Sequence, residues 1–95
     1  MSMNDYEKEL PNPTISLEDL IDYIKHGREI EFSYQGQSYF IDHSSKEGRT
    51  VWIDQTAVSR TYKKDFEEHL SEIILQDKSI ADIFRNREGI IVTIL

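Results

Sequence analysis

Apolar and polar side chains alternate most regularly between Arg28 and Asp42. Ile30, Phe32 and Tyr34 point one way and Glu29, Glu31 and Ser33 the other, because successive side chains of an extended chain leave opposite faces. Gly36 can take the positive φ of a tight turn, so Gln35-Gly36 predicts a hairpin whose register is open by one residue. On the returning strand Tyr39 and Ile41 share a face and Phe40 takes the other. After a polar loop and a turn at Glu47-Gly48, the segment from Thr50 to Asp54 predicts a third strand, with Val51 and Ile53 on one face and Trp52 on the other. Short links between sequential strands imply an antiparallel meander.

Helical periodicity flanks this meander. Leu17, Leu20, Ile21 and Ile24 form one apolar stripe. Ser16 and Asp19 form a capping pair, with Thr14 as the rival cap, and Ile15 stands where a hydrophobic staple belongs. Gly27 supplies the stop. Residues 55–61 are polar and read as a bend. From Tyr62, the spacing of Phe66, Leu70, Ile73 and Ile74 predicts a second helix reaching Leu75, with Thr61 as its cap. Gln76 to Lys78 reads as a link. Ser79 and Asp82 then cap a short third helix with Ile80, Ile83 and Phe84 on its inner side. The run from Ile90 to Leu95 reads as a strand buried on both faces, central in the sheet and beside the first strand. The expected fold is α+β: a four-stranded mixed or antiparallel sheet with helices on one face, in the order α-β-β-β-α-α-β. Residues 1–12 read as a flexible acidic tail, with Tyr6 and Leu10 available to pack or dock, and 13–95 as one domain.

Composition narrows the function classes. Ninety-five residues with 38% apolar content support one modest core. The absence of cysteine excludes disulfides, thiol chemistry and cysteine-ligated metals. No apolar run approaches the roughly 18 residues of a membrane span, and the start of the chain lacks the basic and apolar regions of a signal peptide. Eighteen acidic against 11 basic residues give a net charge of -7, which disfavours double-stranded nucleic acid and anionic membranes and suits a basic partner or simple solubility. A cytoplasmic setting is the expectation.

Catalytic groupings are sparse. His26, His43 and His69 have no ligand spacing, and Asp42 or Asp65 would have to converge on them through folding to make a metal site. The string Asp42-His43-Ser44-Ser45 contains the residue types of a triad, but nearest neighbours in sequence seldom aim at one point. Residues 45–49 do not match a phosphate-cradling loop, and no acidic calcium loop is present. The expectation is a protein that is not an enzyme and has neither cofactor nor metal.

Two aromatic residues stand apart. If Ile30, Phe32, Tyr34, Tyr39, Ile41, Val51 and Ile53 face the helices, Phe40 and Trp52 emerge on the opposite face. Exposed aromatic anchors beside acidic residues such as Glu29, Glu31 and Asp54 suit a protein interface. The plain counter-reading is that tail side chains or sheet curvature cover them. The expected protein-binding set is Phe40, Trp52, Glu67, Glu68 and Glu72, acting on an unidentified basic protein, with the chain as monomer or weak homodimer. The alternatives are a soluble domain without a specific charged partner, and a single-stranded nucleic-acid binder using Phe40, Arg49, Trp52, Lys63 and Lys64, since aromatics beside cations can stack bases.

The Gly-Arg-hydrophobic hairpin at 27–41, the aromatic-led helix at 66–75 and the Asp-Lys-Ser-Ile-Ala-Asp-Ile segment at 77–83 together resemble a pattern in small uncharacterised proteins of low-GC Gram-positive bacteria and their mobile elements. The resemblance brings no established chemistry. Part of that neighbourhood is similar to phage-related or toxin-immunity proteins, which bind and block a partner, and so implies binding as the mode of action.

Overall fold

A computed structural model describes residues 13–44 and 46–95. The tail expected over 1–12 lies outside the described residues.

Helix α1 (Leu17–Lys25) begins where expected: the Ser16 hydroxyl accepts the Asp19 N–H at 3.0 Å. It ends in a Schellman motif. Gly27, at φ +79, donates to the Ile24 carbonyl and Arg28 donates to that of Tyr23. Strands β1 (Ile30–Tyr34) and β2 (Gln37–Ile41) then pair antiparallel around Gln35 and Gly36, both with positive φ. Strand β3 (Val51–Ile53) continues the meander and β4 (Thr56–Ala57) extends it, where sequence reading gave only a bend.

Helix α2 (Phe66–Glu72) is shorter than expected at both ends. At its start, Tyr62 exchanges two backbone hydrogen bonds with Arg49, which keeps the chain extended. Thr61 therefore cannot cap the helix; its hydroxyl lies 2.6 Å from that of Thr50. Asp65, in the left-handed region at φ 58, occupies the cap position. At the other end Ile73 is already extended, and the presumed link is a small hairpin of β5 (Ile74–Leu75) and β6 (Lys78–Ser79). Helix α3 (Ile80–Arg85) follows, its Ser79 hydroxyl accepting the Asp82 N–H as expected.

Strand β7 (Ile90–Ile94) lies beside β1, but at the sheet edge rather than in the centre. The five-stranded antiparallel sheet has the order β4-β3-β2-β1-β7. The meander leaves one side of β1 free, and β7 takes it. The β1–β7 register shifts between Glu31 and Phe32, whose partners are Thr93 and Ile91, so Val92 is the extra residue of a bulge. Only Ile91 and Ile94 of this strand pack against the core. The edge is interrupted by the bulge and by Pro13, whose carbonyl accepts the Ile91 N–H.

All three helices and the small hairpin place buried side chains against one sheet face. Leu20, Ile24, Leu70, Leu75, Ile80, Ile83 and Phe84 join Ile30, Phe32, Tyr34, Tyr39, Ile41 and Val51 in a single cluster. Phe32 stacks on Tyr39 and meets Phe84 edge to face, with ring centroids 5.5 and 5.0 Å apart. The small hairpin is pinned at its turn: Gln76 donates to the Tyr34 carbonyl and the Tyr39 hydroxyl, and Tyr34 donates to Asp77. Among the described residues, no helix is long and apolar enough to cross a membrane.

Candidate protein-binding face

The sheet face opposite the helices carries a row of side chains set by strand register. Thr93 opposes Glu31, Glu31 opposes Phe40, Phe40 opposes Trp52 and Trp52 opposes Ala57. Directly paired residues share a face, so the row runs across all five strands. Phe40 and Trp52 are half-buried and stand outside the core cluster.

The indole of Trp52 is held in place. Its Nε1–H donates to Asp42 Oδ2 at 2.9 Å, while Asp42 Oδ1 accepts the Thr50 N–H at 2.8 Å. Asp42 continues the β2–β3 register opposite Thr50, and its N–H donates to the Thr50 carbonyl. A depression of ≈ 230 Å³ beside the aromatic pair is lined by Glu31, Ser38, Tyr39, Phe40, Trp52 and Asp54. It combines two carboxylates with aromatic rings, whose faces carry negative potential. That arrangement suits an ammonium or guanidinium group.

The structure divides the residues expected to form one interface. Glu67, Glu68 and Glu72 are exposed on α2, which packs through Leu70 onto the core. The sheet therefore lies between them and the Phe40–Trp52 pair. Glu67 and Glu68 instead border an open groove of ≈ 620 Å³ with Ile21 and Lys25 of α1 and with Lys64.

The nucleic-acid set is likewise divided. Arg49 is buried, at 5% exposure. Its guanidinium donates to the carbonyls of Arg28 at 2.6 Å, Asp42 at 3.0 Å and Ile24, and lies 5.8 Å from the Phe66 ring centroid. Burial lowers its pKa, while the charges of Asp42 and Glu29 pull it back up. This side chain clamps the C-terminus of α1 to the ends of β1 and β2 and is not available to a phosphate backbone. Lys63 and Lys64 are exposed on the segment leading into α2, apart from the aromatic row.

The Asp-His-Ser string does not converge. The Asp42 carboxylate is engaged by Thr50 and Trp52. The His43 ring lies beside Gly27, and the Ser44 hydroxyl accepts the Glu47 N–H. His69 stacks on Tyr62 with centroids 3.5 Å apart, far along the chain from either. Among the described residues no three His, Asp or Glu side chains gather as a metal-binding group.

Sequence reading missed the roles of Asp42 and Arg49. The first would have followed from the β2–β3 register, which puts Asp42 diagonal to Trp52 on one face. The second had no local signal, because the carbonyls it binds come from three separate places. No protein-family model, curated protein or solved structure matches this chain.

Proposed function

We propose that this chain is a small acidic bacterial protein that acts in the cytoplasm by binding a basic protein, and that it does so through the sheet face opposite the helices rather than through α2. The observation that carries the reading is the Phe40–Trp52 pair, flanked by Glu31 and Asp54 on a face to which the described helices contribute no core side chain. A net charge of -7 steers a positive partner toward the domain at long range. The fixed indole supplies a preorganised anchor at short range, which lowers the ordering cost of association. The partner chemistry is that of a toxin, a nuclease or a nucleic-acid-bound factor presenting lysine or arginine. The mode of action is occlusion, and no catalytic step is assigned.

Crosslinked capture from the native host tests this reading. The wild type should recover one dominant basic protein, and both Trp52→Ala and Glu31→Lys should lose it. Capture that survives both substitutions would place the interface elsewhere. No reproducible partner would favour a domain whose charge only keeps it in solution.

A further inference from the structure

A second surface differs in chemistry from the rest of this acidic chain. A groove of ≈ 610 Å³ lies between the C-terminus of α1, the loop after β2 and the segment before α2. Lys25, Arg49 and Lys63 bring formal positive charge to its lining, and His26 and His43 add two imidazoles. No Asp or Glu lines it, although the chain holds 18 acidic against 11 basic residues. The half-buried Phe66 provides an apolar part of the wall, whereas Ile24 is buried in the core.

The acids nearest the groove lie outside its lining, although Glu67 and Glu68 line the adjoining groove that shares Lys25 and Phe66 with it. Asp42 turns its carboxylate to Thr50 and Trp52. Glu29 accepts the His43 backbone N–H at 3.1 Å. Asp22 sits 3.5 Å from Nδ1 of the groove-lining His26, and Asp65 lines the neighbouring groove. The partial negative charge expected at a helix C-terminus is met by Arg49, which binds the Ile24 carbonyl. Arg49 makes no ion pair with a carboxylate among the described residues; its side chain donates to backbone carbonyls. The charges of Asp42 and Glu29 already act on Arg49, so the attraction for an anion entering the groove comes from the exposed Lys25 and Lys63.

Backbone geometry holds the lining together. Arg49 and Tyr62 exchange hydrogen bonds of 2.6 and 2.7 Å. Gly48, at φ +104, lies so close to Tyr62 and Lys63 that an added Cβ would strike the Tyr62 carbonyl. This close approach brings Lys63 beside the His43–Arg49 loop, and the His43 ring in turn rests beside Gly27. We infer that this groove binds a small organic anion, a carboxylate or phosphate ester on a flat apolar body, with Lys25 and Lys63 on the anionic group and Phe66 on the body.

Amide NMR titration of the full chain with benzoate, phenyl phosphate, inorganic phosphate and neutral benzyl alcohol tests the inference. At least one of the two aromatic anions should saturate, moving Gly27, His43 and Gly48 amides. Inorganic phosphate should bind at least tenfold more weakly, and the alcohol should leave these amides unmoved. Whichever aromatic anion binds more tightly identifies the anionic group. The double substitution Lys25→Gln with Lys63→Gln should weaken binding at least tenfold in a protein that stays folded by its amide spectrum. Absence of saturation, equal response to the alcohol or to inorganic phosphate, shifts centred on Lys46 or Lys78, or unweakened binding by a folded double variant would each overturn it.

Discussion

The Asp42 carboxylate holds the Trp52 indole: Oδ2 accepts the ring N–H at 2.9 Å while Oδ1 is occupied by the Thr50 backbone. One side chain thus secures both the end of the β2–β3 ladder and the orientation of the aromatic anchor. Asp42→Ala should destabilise the fold by about 2 kcal/mol, the range for hydrogen bonds to a charged group. It should also move Trp52 emission to longer wavelength as the ring loosens into water. Asp42→Asn, which keeps an acceptor, should do less of both. Chemical denaturation and steady-state fluorescence on the same samples check this, and an unchanged emission maximum in the alanine variant would show that the ring is held by packing alone.

Arg49 acts through geometry. Its fork reaches carbonyls of residues 24, 28 and 42. Arg49→Ala leaves these acceptors without their partner, at a cost of about 3 kcal/mol. Arg49→Lys should recover only part of that, since an ammonium lacks the planar spread of donors. The melting temperatures should fall in the order wild type, lysine, alanine.

The capping and hairpin elements were legible in the chain because their determinants are local. Ser16 with Gly27, Gln35-Gly36, and Ser79 with Asp82 each act within a few residues, and each element begins or turns where those residues stand. Period-two alternation also placed Phe40 and Trp52 on the face away from the core. What could not be read depended on distant partners. The apolar run from Ile90 suggests a fully buried strand, yet its place at the edge follows from which side of β1 the meander leaves free. Tyr62 has helical spacing with Phe66, but its backbone is taken by Arg49. The acidic residues of α2 and the aromatic row look like one interface in sequence and lie on opposite sides of the sheet.

Stability should fall in the alkaline range through one buried phenol. Tyr34 donates to Asp77 at 2.6 Å, and that bond, then burial and the Asp77 charge, push its pKa from 10.0 up to about 12. The folded state keeps this proton where the unfolded chain loses it. The stabilisation is therefore complete below pH 10 and drains away as pH rises through about 12. The stability difference between wild type and Tyr34→Phe, followed by denaturant unfolding, should shrink across that interval. A constant difference would contradict the assignment.

Helix α3 ends with Arg87 at φ 58, donating to Phe84, while Glu88 donates to Ile83. This is a Schellman end with a side chain where glycine is favoured. Arg87→Gly relieves the left-handed strain and should raise stability by about 0.5–1 kcal/mol, net of the greater entropy of glycine in the unfolded chain. Thermal unfolding reads the sign directly; a fall would show that the arginine side chain contributes more than its backbone costs.

The most direct test of the central claim is a titration of the protein with a short arginine-rich peptide, read by Trp52 fluorescence and by backbone amide shifts. Saturable changes centred on Glu31, Phe40, Trp52 and Asp54 are expected, weakening as salt rises and weakened about tenfold or more by Glu31→Lys with Asp54→Lys. A response centred on Glu67, Glu68 and Glu72 with Trp52 silent, or one indifferent to charge reversal on the sheet face, would contradict it.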